Sequence, residues 1–500
     1  DESGYGGFQA GLSLRSTEEP TIMTPPRRFF VEVALTGGLP ERPREVLFQP
    51  RTPSLLDLRL RLRALARDRT VAGILMKITR FSGDFTQAQE LARSIADLRA
   101  HGKKVYVYLE DAGNRAIYIA AHGDHVILNP GLLVRMNGIH LVRRFYKDTM
   151  EMLGIEAQVI RFEEYKSAAD GYVQRESRPI VREVQAARMD AIYHQFTGDI
   201  AAMRARTEEE VRGWVDMAPM SPQTARDLGI VDAIAGREEL HDLVRDREGA
   251  RIRFTKKFPA MPRQDLRWGR RPRVAVIVLD GFMITGTSRT IPLVGMRFSG
   301  SDTVGAALDQ AGADPRIDGI LFRIQSPGGV ALAAEILNRK VRAAAEKKPL
   351  VVSVGSYAAS GGYYAAAPAP RIFILPGSIT GSIGVVYGKP IVSGLLDLLK
   401  IRREHSTRGR HADLESLDRR LSDDEMAHVR EQLGALYELF MNRVAEGRKM
   451  KPEQVRQLAK GRVWLGSEAV ENGLADQEGG ILEALEYLSE HIDTGHAWPP

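Results

Sequence analysis

The chain repeats itself at a fixed offset, and no other feature constrains its fold as tightly. Gly73-Ile74-Leu75-Met76-Lys77-Ile78 matches Gly319-Ile320-Leu321-Phe322-Arg323-Ile324 at a separation of 246 positions. Val126-Ile127-Leu128-Asn129-Pro130-Gly131 matches Ile372-Phe373-Ile374-Leu375-Pro376-Gly377 at the same separation. Further on, Thr224 to Asp232 is echoed by Glu468 to Asp476, now 244 positions away. An offset held this long describes one unit written twice, hence two tandem domains of one fold. The copies cover 28–244 and 274–492, with a segment 1–27 before them, a linker 245–273 between them and a tail 493–500.

Inside each copy, short apolar runs alternate with segments of helical period, the pattern of an α/β domain built from βαβ units. Each copy also carries a long helix in its second half. In the second copy Ser422 and Glu425 have the spacing of a capping box. Met426, Val429, Leu433, Leu436, Tyr437, Phe440 and Val444 then recur at helical spacing, which predicts one apolar face packed on a core.

The most unusual stretch lies in the second copy, between Ile320 and Gly384. An apolar run ends at Ser326-Pro327-Gly328-Gly329, an alanine-rich helical segment follows, and a second apolar run, Leu350 to Val354, leads to Ala359-Ser360-Gly361-Gly362. Strand, glycine turn, helix, strand and then a serine among small residues suits a nucleophile. Glycine permits close approach and backbone conformations that other residues resist. Amides at Gly328, Gly329 and Gly361 can thus point at a carbonyl oxygen and form an oxyanion hole. Two ordinary strand-end turns around a buried serine fit the same residues.

Comparison of the copies sharpens this. Ser360 falls opposite Asn114, and Gly328-Gly329 opposite Ser82-Gly83, so the first copy lacks the serine and half of the glycine turn. In return it has Glu163-Glu164-Tyr165-Lys166-Ser167-Ala168, whose counterpart region, Gly409-Arg410-His411-Ala412-Asp413, has no lysine. One copy keeps a serine and the other a lysine.

Composition removes several alternatives. The 500 residues, 43% of them hydrophobic, suffice for two cores. With no cysteine there are no disulfides, thiol nucleophiles or thiolate metal sites. A net charge of +6 is small for this length and gives no reason to expect nucleic-acid binding; no cofactor or metal is expected either. Residues 1–27, rich in Gly, Ser, Thr and Pro, read as poorly ordered, and no run of about twenty apolar residues marks a membrane-spanning helix. Between Arg251 and Arg273 lie nine Lys/Arg, one Asp and three prolines, which reads as an exposed linker.

Ser326-Pro327-Gly328-Gly329, Ala359-Ser360-Gly361-Gly362-Tyr363, Thr380-Gly381-Ser382-Ile383-Gly384 and Tyr165-Lys166-Ser167-Ala168, by their order and spacing across a duplicated chain, resemble the long form of the signal peptide peptidase A family. These are bacterial serine peptidases with a Ser/Lys dyad. The resemblance covers both copies and implies a crotonase-like (ClpP-like) fold, Ser360 as nucleophile, Lys166 as general base and Ser382 as the hydroxyl that orients the lysine. It places Gly328, Gly329 and Gly361 in the oxyanion turns. It implies further a homotetramer with sites on its inner surface, association with the bacterial inner membrane on the periplasmic side, and substrates that are leftover signal peptides and other membrane-derived peptides. One departure is Asp170, an acid close behind Lys166 that would raise the lysine's pKa.

The chemistry agrees with these roles. A lysine with a pKa near 10.4 is almost wholly charged at pH 7, and burial is what would free the amine to take a serine proton. Val, Ala, Ile and Tyr residues around Ser360 suit a substrate with apolar side chains. A Ser-His-Asp triad would have to draw on His405 or His411, but Ala358 stands where the nucleophile elbow wants glycine. An acyl-CoA hydratase or isomerase would share the fold without needing the serine and lysine, and a catalytically silent membrane-associated scaffold would need neither.

Overall fold

The computed structural model describes residues 29–43, 52–257, 272–291 and 296–492. The N-terminal segment 1–27, the tail 493–500 and 258–271 of the basic linker lie outside them. Each copy builds one large sheet, and the second adds a three-stranded one of Arg289–Ile291, Met296–Gly300 and Phe282–Ile284. In the first the order is Ala233–Ile234, His125–Leu128, Lys104–Leu109, Val71–Phe81, Phe29–Gly37 and Arg253–Thr255, every neighbour parallel. In the second, Val274–Asp280, Gly319–Ser326 and Leu350–Ala359 run parallel. Ile372–Ile374 and Ile379–Gly381 both pair with the last of these, and Val463–Leu465 closes the edge antiparallel. The chain is therefore a mixed α/β protein of two tandem copies.

The strands read as unbroken apolar runs because both faces are covered. Along Gly319–Ser326, Ile320, Phe322 and Ile324 point into the larger core with the helix Ala331–Ala345. Leu321 points the other way, onto Ile481 and Leu488 of the helix Ile481–Glu490. The first sheet does the same with Ile74 and Met76 on one face and Leu75 on the other. The stretch read as a linker gives up its beginning to this sheet. Ile252 and Phe254 alternate with charged residues, and Arg253–Thr255 pairs with Phe29–Gly37, so the first copy runs past 244. Among the described residues no helix is long and apolar enough to cross a membrane.

Two features hold the copies together. The strand Glu156–Arg161 of the first copy pairs antiparallel with Val386–Ile391 of the second. Deeper in the interface, the carboxylate of fully buried Glu90 lies between two guanidiniums. Arg59 of its own copy bonds one oxygen, and Arg323 of the other copy approaches to 3.2 Å. Ile481 donates its N–H to Glu90 at 3.0 Å, and Arg59 also reaches Glu483 of the second copy at 3.1 Å. Removal of one partner from such a set leaves buried charge without compensation. Glu90→Ala is expected to cost about 3–5 kcal/mol, read as a shift of the urea unfolding midpoint.

Candidate active site

The strand Leu350–Ala359 ends at Ser360, which starts the short helix Gly361–Ala366. Its backbone stands at φ 54° and ψ −120°, a conformation that costs a non-glycine residue roughly 1–3 kcal/mol and that the surroundings must enforce. They do so through the Ser360 N–H, which donates to Gly381 O at 2.8 Å, and through the Thr380 hydroxyl, which donates to Ala358 O at 2.7 Å.

Lys166 arrives from the other copy. Its Nζ lies 2.9 Å from Ser360 Oγ, 2.9 Å from Ser382 O and 3.2 Å from Ser382 Oγ. The lysine is 4% exposed, and burial alone pushes its pKa down to about 7. An amine there can take up the proton of the hydroxyl beside it. Ser382 also sits at a left-handed φ of 53°, anchored by its N–H on Arg462 O at 2.7 Å.

The loop carrying Lys166 is stitched to the second copy. Beyond the strand pair, Phe162 N–H donates to Val385 O and Tyr165 N–H to Lys460 O. Gly461, at φ 76°, lies so close that a Cβ would come within 2.6 Å of the Lys166 nitrogen. Asp170 does not act as the sequence suggests. Its buried carboxylate is taken by Arg178 at 3.0 Å and Arg161 at 3.2 Å, and Arg178 also bonds the carbonyls of Glu164 and Lys166. The acid braces the loop and leaves the amine alone.

The pH dependence follows from this. Protonated Lys166 has no lone pair for the serine proton, so kcat/KM is expected to fall about tenfold per unit below a midpoint near pH 7 and to level off above it. Asp170→Asn should lower the plateau by loosening the loop without moving the midpoint. A midpoint displaced toward acid would reinstate a direct charge effect.

The glycine turns divide their work. Gly328, at φ 103°, has its N–H bound to Ser326 Oγ at 3.2 Å, and a Cβ on it would meet Gly361 N at 2.6 Å. Its task is to let the two turns touch. Gly329 N makes no hydrogen bond among the described residues, and Gly361 opens its helix, where the N–H has no intrahelical partner. These two amides remain for an oxyanion. Met283, on the short strand Phe282–Ile284, buttresses them, its N–H on Gly328 O and its carbonyl accepting from Val330 N–H.

A cleft beside Ser360 is lined by Val330, Leu332, Val386, Leu433, Leu436 and Phe440, with Tyr364 and Glu335 at one side. The long helix Asp423–Arg448 thus does more than pack. Val429, Leu433, Tyr437, Phe440 and Val444 are buried, but Leu436 stands exposed in the cleft. Sequence reasoning missed Gly461, Arg178 and Met283. Of these only Gly461, in Lys460-Gly461-Arg462, carries a local sign, a glycine between cations after a helix. The histidines lie elsewhere. His405 faces Asp418, and His411 faces Glu425 and stacks on His428.

A model described as peptidase family S49 matches the chain twice, over 97–251 and 342–494, together more than half of it. Protease 4 of Salmonella typhi is 26% identical over 452 residues, covering 87% of this chain and 72% of that protein. The chloroplastic serine protease SPPA of Arabidopsis thaliana is 26% identical, covering 84% of this chain and 63% of that protein. A protein named putative signal peptide peptidase SppA, from Enterococcus faecium, is 36% identical over 178 residues, 35% of this chain and 52% of that protein.

Proposed function

The chain belongs to peptidase family S49, and from that premise we propose an endopeptidase in which Ser360 is the nucleophile and Lys166 the general base. The observation that carries the reading is the 2.9 Å approach to the serine hydroxyl of a buried amine whose pKa is pushed down to about 7. Lys166 takes the proton as Oγ attacks a peptide carbonyl. The developing oxyanion receives the N–H groups of Gly329 and Gly361. The ammonium then gives its proton to the leaving amine, and water cleaves the acyl-enzyme with the lysine as base again. Ser382 holds Nζ through its carbonyl and hydroxyl.

The substrate class we propose is membrane-derived peptide, remnant signal peptides among it. The apolar cleft supports this. A homotetramer at the periplasmic face of the bacterial inner membrane belongs to the same proposal and rests on the family resemblance of the sequence motifs. A fluorophosphonate probe tests the chemistry directly. One label per chain, at Ser360, is expected, with none on Ser360→Ala and at least tenfold slower labelling of Lys166→Ala. An unlabelled wild-type chain would make the protein a silent scaffold of the same fold.

A further inference from the structure

The cleft that leads away from Ser360 is apolar along its walls, yet one charge stands at its far side. Among the residues that line it, only Lys166 and Glu335 are charged. Lys166 belongs to the reacting end. Glu335 lies on the helix Ala331–Ala345, one turn beyond Ala331, and next to it stands Tyr364, one turn beyond Ser360. A helical turn rises about 5.4 Å, which a large side chain can span, so one that enters beside Ser360 ends at this pair.

An acid in an apolar groove needs compensation, and here it comes from behind. Arg443, on the long helix Asp423–Arg448, binds both carboxylate oxygens of Glu335, with Nη2 at 2.7 Å from Oε1 and Nε at 3.2 Å from Oε2. The Tyr364 hydroxyl donates to Oε2 at 2.7 Å. Burial alone would raise the pKa of Glu335, but these bonds outweigh it and hold the group below its usual range, so it is an anion at pH 7. Arg443 itself does not line the cleft. Its Nη1 donates to Glu446 at 3.3 Å, and Arg342 bonds the same carboxylate oxygen at 2.6 Å. An entering side chain therefore meets the carboxylate, with the arginine that neutralises it on the other side.

We propose that Glu335 is a specificity-determining residue of this cleft: it occupies Arg443, so that the cleft takes a long uncharged side chain and refuses an acidic one. Two carboxylates brought together away from water repel strongly, because little solvent is left to screen them. With the protein's own carboxylate removed, the same place suits an acid. The guanidinium of Arg443 and the hydroxyl of Tyr364, both aimed at Glu335 in the native chain, would then close on the carboxylate of a substrate glutamate. The refusal of acids thus resides in one side chain and not in the apolar walls. Were the ion pair only a brace between the helices Ala331–Ala345 and Asp423–Arg448, its loss would lower stability without changing which peptides are cut. The proposal rests on Ser360 being the nucleophile of a peptidase and adds a side-chain preference to that reading.

The test uses the full chain and peptides that differ only in the residue before the scissile bond: glutamine, its charged isostere glutamate, and leucine as the reference for a folded, active enzyme. Wild-type kcat/KM should favour glutamine over glutamate by about tenfold or more. Glu335→Ala should reverse that order by a similar factor, and Glu335→Gln, which keeps the packing, should bring the ratio near one. Adding Arg443→Met to Glu335→Ala should abolish the advantage of glutamate. A glutamate-to-glutamine ratio that stays at its wild-type value in both single variants, or that Arg443→Met leaves reversed, would overturn the proposal. Affinities of the same peptides for Ser360→Ala chains, with and without the exchanges at 335 and 443, read the cleft without turnover by fluorescence anisotropy, and their ratio should move the same way. A wild type that cleaves none of the peptides while this affinity ratio moves would count against the peptidase reading alone. An affinity ratio that does not move would overturn the masking of Arg443.

Discussion

Ser360→Ala and Lys166→Ala are each expected to reduce hydrolysis of a chromogenic peptide by about three to six orders of magnitude, with the double variant no worse than either single one. Groups that act as a unit lose their shared contribution when one is removed, so the effects do not add. The geometry demands this. The only hydrogen-bond partners of Lys166 Nζ among the described residues are Ser360 Oγ and the carbonyl and hydroxyl of Ser382. Neither replacement should unfold the protein. Alanine at 360 keeps the backbone bond to Gly381, and alanine at 166 removes a buried amine whose charged form the site disfavours. Ser382→Ala should be milder, about ten- to a hundredfold, since the carbonyl at 2.9 Å still holds the amine. Steady-state kcat/KM with circular dichroism on the same samples checks all four. Lys166→Ala at most of wild-type rate removes the lysine from the mechanism.

The second large effect comes from separating the copies. A fragment 274–492 contains Ser360, both glycine turns and most of the cleft, and a fragment 28–257 contains Lys166. Neither should hydrolyse peptide above the no-enzyme rate. The first has Ala412 in the lysine's place and the second Asn114 in the serine's. Separation also opens the Glu90–Arg323 contact and the paired strands, exposing buried charge and apolar surface. Co-expressed as two chains, the fragments should recover part of the activity, and should fail to do so when the first carries Lys166→Ala. Full activity from a soluble 274–492 fragment would place the base within the second copy.

Much of this site was legible because the duplication provides an internal control. Aligning the chain on itself isolates Ser360 and Lys166 as the residues that differ in chemistry at matching places. The oxyanion turns were legible for a local reason, since Gly328, Gly329 and Gly361 lie next to strand ends. What escaped depends on partners far away in sequence. Asp170 reads as a neighbour of Lys166, yet its charge is spent on Arg161 and Arg178, and no periodicity announces such a pairing. Leu436 shares its helical stripe with Phe440 and Val444, so spacing alone could not say that it faces a cleft. The strand Glu156–Arg161 exists because Val386–Ile391 lies beside it. The stretch 402–407, which lies 246 positions further on, pairs with no strand among the described residues. Extended structure of this kind is a property of the pair.

The division of the site between two sheets has a consequence for how such an enzyme can change. Apart from Lys166, every residue lining the cleft beside Ser360 is drawn from the second copy, while the amine and the arginine-braced loop that carries it come from the first. Substitutions in the first half can change how firmly the amine is presented, and substitutions in the second can redraw the preference among side chains. A single copy would have to satisfy both demands with one set of residues. The duplicated chain gives each demand its own stretch, with the serine in one copy and the lysine in the other.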